Sequence, residues 1–308
     1  MATLGVAACG GVERRGDDGP SWSSEDMIVE AAEYTVWDGR TGERLAPDEV
    51  LLRLGAADVV LVGEQHGERA FHRTQAQVLA VASAVGFRIA AVEWLPWHRR
   101  AAVRALGGQP VERALHELYH GLDWPRTWGH DFAAYVPALA FALERMVLEP
   151  LNARRELSKA VARGGRDAVP EDLRDEAPPL DSGSDAHRAW FADKMGVGAP
   201  GGHGGHGHAM SAETLERYYL AQLVWDETMA RNTRELARAG KVVVLAGLGH
   251  TERGLGIAAR LGDLKALVVR PVADEAEARE RARDAGFPER EADLLWAFPA
   301  STPRSATR

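Results

Sequence analysis

Three runs of β-branched and aliphatic residues, each leading straight into polar residues, constrain this chain most. They are Asp58-Val59-Val60-Leu61-Val62-Gly63, Arg88-Ile89-Ala90-Ala91-Val92-Glu93 and Lys241-Val242-Val243-Val244-Leu245-Ala246-Gly247. A strand covered on one face alternates apolar and polar residues, whereas a run that is apolar throughout is covered on both, as in parallel sheets lying between layers of helices. A helix is expected between the first two runs, over about 68–85, with Val78, Val81 and Val85 at helical spacing and Gly86 as its stop. Strand, helix and strand with short joints make a βαβ unit. The expected fold class is therefore α/β, a mostly parallel central sheet flanked by helices, with a large helical insertion between strands.

That insertion spans 97–145 and is interrupted at Gly107-Gly108 and from Gly121 to Pro125. A third strand is expected over 147–151, and Pro150 suits a strand end better than a strand centre. Residues 164–188, rich in Gly, Pro and Asp, read as loop. Ser211 can cap a long helix over 212–239. A strand over 264–269, a charged helix over 273–285 and a closing edge strand over 293–298 follow. Upstream, a short strand over 29–37 turns at Asp38-Gly39. The organisation expected is a leader over 1–27, one α/β domain over 28–299 and a disordered tail over 300–308.

Composition narrows the function classes. The 308 residues carry a formal charge of −8 with no basic patch, which argues against a nucleic-acid partner. No apolar run approaches the ~18 residues of a spanning helix. Cys9 is the single cysteine, so neither an intrachain disulfide nor a multi-cysteine zinc site can form. It stands in Val6-Ala7-Ala8-Cys9-Gly10, which spells a bacterial lipobox and raises the expectation of a lipid anchor on Cys9. Eight residues precede it with no Lys or Arg, whereas an export signal is longer and starts basic.

The polar strand ends carry the chemistry. The first strand delivers Glu64 and His66, the second Glu93 and the late strand His250, and ligands of open parallel sheets sit beyond the carboxyl ends of the strands. His72 lies in the first turns of the following helix, where a neutral imidazole able to bind metal is favoured. Singly, each is an ordinary cap or turn residue; together they read as a site. Its metal candidates are His66, His72, Glu93 and His250, and its acid–base candidates Glu64, His66, Glu93 and His250. Asp226 falls on the stripe Tyr219, Leu223, Asp226 and Ala230 of the long helix, where a carboxylate needs a partner, and it is a candidate to orient one histidine. His116-Glu117-Leu118-Tyr119-His120 spells HExxH, but Gly121 truncates the helix and Arg126 occupies the third-histidine position of the longer zinc motif. His203, His206 and His208 form a Gly-His loop able to hold a metal or a haem iron. Gly247, Gly249 and Gly254 do not have dinucleotide-binding spacing, and no phosphate-binding or nucleophile-elbow motif is present.

The order of these pieces resembles the ChaN family. Gly63-Glu64-Gln65-His66, His72, Gln75 and Val92-Glu93 are similar to its opening. Asp123-Trp124 through Trp128 and Tyr135 resemble its Trp-rich helical segment. His206-Gly207 falls where the family tends to have His-Cys-Gly, Asp226 with Met229-Ala230 resembles its long-helix motif, Gly247-Leu248-Gly249-His250 resembles its GNGH, and 294–299 resembles its closing strand. The resemblance covers roughly 45–300. It implies a haem-binding lipoprotein of the bacterial envelope, active in iron and haem uptake. It also implies kinship with the Tiki and erythromycin-esterase-like superfamily, whose members use Glu and His for hydrolysis. Two departures stand out, Gly207 for the expected Cys and Leu248 for the expected Asn. The resemblance implies a tyrosine as haem-iron ligand, with Tyr135, Tyr218 and Tyr219 as candidates beside His206, and haem held between two protomers. Trp94, Trp97, Trp124 and Trp128 are candidate walls for a porphyrin. Hydrolysis with a divalent metal ion at the strand ends is the rival reading.

Overall fold

The computed structural model describes residues 34–181, 183–196, 210–252, 254–283 and 292–298. The leader with Cys9, the His203, His206 and His208 loop and the tail over 300–308 lie outside them. Seven strands form one sheet: β1 (Val36–Asp38), β2 (Val59–Glu64), β3 (Ile89–Pro96), β4 (Val147–Asn152), β5 (Val242–Gly247), β6 (Ala266–Val272) and β7 (Leu294–Ala297). Their spatial order is β1-β7-β6-β2-β5-β3-β4, and every pairing is parallel except that of β1 with β7. Pro150 lies on β4, an edge strand, where a missing N–H costs the ladder least. The closing strand is not an edge: β1 adds outside β7, anchored by an Asp38 turn whose Oδ1 accepts the N–H groups of Arg40 and Thr41, both at 2.8 Å.

Alternate side chains on the apolar runs divide between two layers. Val60, Val62, Ala90, Val92, Val243 and Leu245 pack with α1 (Pro47–Ala56), α2 (Arg69–Ala84) and α6 (Phe132–Arg145). Val59, Leu61, Ala91, Val242 and Val244 pack with α9 (Ala212–Ala237), whose N-cap Ser211 accepts the Thr214 N–H at 3.2 Å. This two-sided burial is why the runs lack polar residues. The insertion between β3 and β4 is helical as read, comprising a 3₁₀ turn over Trp97–Arg99, α3 (Arg100–Arg104), α4 (Val111–His120), α5 (Trp124–Thr127) and α6.

Helices α1, α7 (Arg155–Gly164) and α8 (Asp185–Lys194) go beyond the sequence reading. Leu157 and Val161 of α7 pack with Trp190 and Phe191 of α8 in a third apolar cluster against α9. The loop therefore ends earlier than read, at Ser184, whose hydroxyl accepts the His187 N–H at 3.1 Å and starts α8. The last turn of β5 continues into α10 (Leu248–Thr251), and α11 (Glu275–Arg283) follows β6.

Candidate functional site at the strand ends

β5 lies between β2 and β3, so the ends of all three strands are neighbours. The period of two places Glu64 with Val60 and Val62, facing α2 and α6, and Glu93 with Ala91, facing α9. Gly247 separates them. It pairs with Glu64 in the ladder, and its N–H donates to Glu93 Oε2 at 2.7 Å. A Cβ on Gly247 would stand 2.9 Å from His66 Cε1, so only glycine lets these groups close over the strand end.

On the α2 side, buried Glu64 accepts His66 Nδ1–H at 2.5 Å and Trp94 Nε1–H at 3.4 Å. Its other oxygen faces His72 Nε2 at 3.8 Å, too far for a hydrogen bond, and neither atom has another partner. His72 is oriented from behind: Nδ1–H donates to Gln75 Oε1 at 3.0 Å, and Gln75 Nε2 donates to the Val62 carbonyl at 3.2 Å. Tyr135 packs against His72 with ring centroids 3.9 Å apart and planes tilted by 41°, and its hydroxyl accepts the Gly67 N–H at 3.2 Å. Burial disfavours a charged His66, but the Glu64 hydrogen bond and the charges of Glu64 and Glu93 outweigh it and raise its pKa to about 9. Burial would raise Glu64, yet His66, His72 and Trp94 hold it below the ordinary carboxylate value. Burial keeps His72 low, against the pull of Glu64.

On the α9 side, His250 of α10 donates Nδ1–H to Asp226 Oδ1 at 2.7 Å and presents Nε2 to Glu93 Oε1 at 3.4 Å. Burial opposes its charge, but Glu93 and Asp226 raise its pKa all the same. Asp226 is fully buried and has further neighbours, with Gln222 Nε2 at 3.5 Å and His187 Nε2 at 3.6 Å from Oδ2. His187 Nδ1 accepts from the Arg260 guanidinium at 3.3 Å. Burial, together with the charges of Arg260, His250 and Arg188, depresses its pKa to about 4 in spite of Asp226, so it is neutral at pH 7.

Glu64, His66, His72, Glu93 and His250 are thus brought together, and Asp226 joins them through His250. Each half is a carboxylate–imidazole pair, and His66, with 28% of its side chain exposed, is the most open group. Its ring is flanked by Trp128 and His130, with centroids 4.9 and 5.1 Å away. His66, His72 and His250 each face a carboxylate, and among the described residues no group of three or more His, Cys, Asp or Glu is arranged to hold a metal ion. His116, Glu117 and His120 lie on the exposed side of α4 and share no hydrogen bond or ion pair with the strand-end groups.

The aromatic candidates separate by burial. Tyr135 and Tyr219 are fully buried, whereas Tyr218 is half-buried; His206 lies outside the described residues. Trp94 and Trp124 are core side chains, while Trp97 and Trp128 keep part of their surface. Sequence reading missed His130, His187 and Gln222. Gln222 could have been found, since it stands four residues before Asp226 on the same helix face. His130 sits in the joint between α5 and α6 and His187 on α8, where no periodicity points at the site.

A sheet of this topology, with paired carboxylates and imidazoles where its parallel strands end, defines an α/β protein built around a strand-end polar site. The chain belongs to the family of haem-binding uptake proteins of the Tiki superfamily, ChaN, whose model matches residues 50–261. Among solved structures it is similar to ChaN of Campylobacter jejuni, described as binding haem cofacially, with a TM-score of 0.59 and 17% identity over 87% of this chain and 98% of that one. It is also similar to a mutant of the erythromycin esterase EreC in its open conformation, with a TM-score of 0.43 and 12% identity over 77% of this chain and 76% of that one. No curated protein matches it significantly by sequence.

Proposed function

We propose that this protein binds haem and takes part in haem and iron uptake at the bacterial cell envelope, tethered through a lipid on Cys9 of its leader and holding haem between two copies of the chain. The family match over 50–261 is the observation that carries this reading. The donor set fits a haem cargo at one of the three tyrosines. A phenolate is a haem-iron ligand of established type, and Tyr218 is the tyrosine among them that reaches the surface. Tyr135 is committed to the Gly67 N–H, and Tyr219 is enclosed by Phe191 and His187. Tyr218 would hold the iron. No helix of the described residues is long and apolar enough to cross a membrane, so attachment in this reading rests on the lipid.

A hemin titration of the full chain, followed at the Soret band, tests this. A saturable shift is expected, lost in Tyr218→Phe and kept in Tyr135→Phe. A featureless, non-saturating response in the parent chain, or a full response in Tyr218→Phe with His206→Ala, refutes it.

The strand-end cluster supports a second reading, hydrolysis of an ester or amide, because haem carriage gives Glu64 and Glu93 no task. His66, charged at pH 7, is placed to deliver a proton to a leaving group, and the Glu93 carboxylate, fixed by Gly247 N–H, to accept one from water. Asp226 would orient His250. An ester and amide screen with Glu64→Gln as control tests it; activity untouched by that substitution rules it out.

A further inference from the structure

We propose that His116 and His120 form a surface chelate for a divalent transition-metal ion with square-planar or octahedral preference, Cu²⁺ or Ni²⁺, separate from the haem and strand-end sites. The two residues are four apart on α4, so they occupy one face, one turn from each other. Both are exposed, and their rings lean together with centroids 4.2 Å apart and a 40° angle between planes.

That spacing favours one coordination geometry. A metal–nitrogen bond of ~2.0–2.1 Å puts the ion about 3.2 Å from an imidazole centroid, so two rings at neighbouring corners of a square or octahedron have centroids about 4.5 Å apart, against about 5.2 Å at tetrahedral corners. The observed 4.2 Å lies nearer the first figure than the second, and both side chains are exposed and free to turn toward one ion. Water would fill the remaining positions. Imidazole ligands and the order of divalent affinities place Cu²⁺ first and Ni²⁺ next.

The same geometry argues against a zinc hydrolase on this HExxH. The helix stops at His120, and the Glu117 carboxylate folds over Gly121, where a Cβ would collide with it. The carboxylate is thereby turned to the helix end rather than poised over an ion between the rings. The motif keeps its two ligands and loses its base.

The test is a titration of the full chain with Cu²⁺, Ni²⁺ and Zn²⁺ by calorimetry, in a background carrying His203→Ala, His206→Ala and His208→Ala, which removes the competing Gly-His loop. One saturable site is expected, with Cu²⁺ tighter than Zn²⁺ by at least tenfold. It should weaken at least tenfold in His116→Ala and in His120→Ala, and fade on acidification, because a protonated imidazole cannot ligate. The bound Cu²⁺ should show electron-paramagnetic coupling to two equivalent imidazole nitrogens. Both substitutions are on a solvent face where alanine favours the helix, and unchanged circular dichroism verifies the fold. Binding that survives His116→Ala with His120→Ala, or a preference for Zn²⁺ over Cu²⁺, overturns the proposal. Neither result bears on hemin binding, which is read separately.

Discussion

The Glu64–His66 pair makes stability depend on pH in a window where few side chains titrate. In the folded chain His66 titrates at about 9, against an ordinary value of 6.5. A folded value above the unfolded one means that the stabilisation is fully present below pH 6.5 and is lost as pH rises through 9. At ~1.4 kcal/mol per tenfold change in proton affinity, the gap is worth about 3 kcal/mol at most, and solvent on the exposed part of the ring brings it to ~2 kcal/mol. The perturbation is Glu64→Gln, which removes the hydrogen-bonded charge and leaves burial opposed by the Glu93 charge alone, so that His66 titrates well below 9. Urea unfolding of the parent and of Glu64→Gln between pH 6 and pH 10, with the His66 imidazole followed by NMR, reads both quantities. The expected result is a parent chain that loses ~2 kcal/mol more than the variant across this range, with an imidazole that titrates near 9 only when Glu64 is present. Ordinary His66 titration in the parent, or parallel stability curves, refutes the reasoning.

Three further outcomes follow from the same geometry. Gly247→Ala places a methyl 2.9 Å from His66 Cε1 and should cost about 1–3 kcal/mol in unfolding free energy while displacing the His66 resonances; a wild-type spectrum contradicts the close approach. Asp226→Ala strips His250 of its Nδ1 acceptor inside the fold and should cost about 3–5 kcal/mol, with the His250 pKa lowered toward its ordinary value, both measurable by denaturation and NMR. Tyr219→Phe deletes a buried hydroxyl that has no partner and should leave thermal stability unchanged or raise it by up to ~1 kcal/mol, whereas Tyr135→Phe removes the acceptor of the Gly67 N–H and should lower it by ~1 kcal/mol; equal losses in both would overturn this contrast.

What could be read in the sequence follows from how local each signal is. Burial on two faces writes itself into every residue of β2, β3 and β5, so these strands, the helix between the first two and the polar residues at their ends are all visible along the chain. The seat of β5 between β2 and β3 is not, because strand order is set by which helical layers pack together and not by residues near any one strand. The same holds for β7, which reads as an edge until the separate β1 segment pairs outside it. α7 and α8 were hidden because their apolar residues are covered by one another and by α9, and because they flank a stretch rich in Gly, Pro and Asp.

The site divides along the same line. Residue type and strand-end position were enough to collect Glu64, His66, Glu93 and His250, but they could not say how the four are shared out. The period of two places Glu64 and Glu93 on opposite faces of the sheet, where each meets a different helical layer and a different histidine. The consequence is chemical: carboxylate and imidazole at strand ends suggest one ligand set around one ion, whereas the parity of the strands resolves them into two ion pairs joined across Gly247. His187 belongs to that account too, since it approaches Asp226 from α8, and its neutrality depends on Arg260 from yet another segment. A group whose protonation is decided by three elements distant in sequence leaves no local pattern, and it comes into view only when the topology brings those elements together.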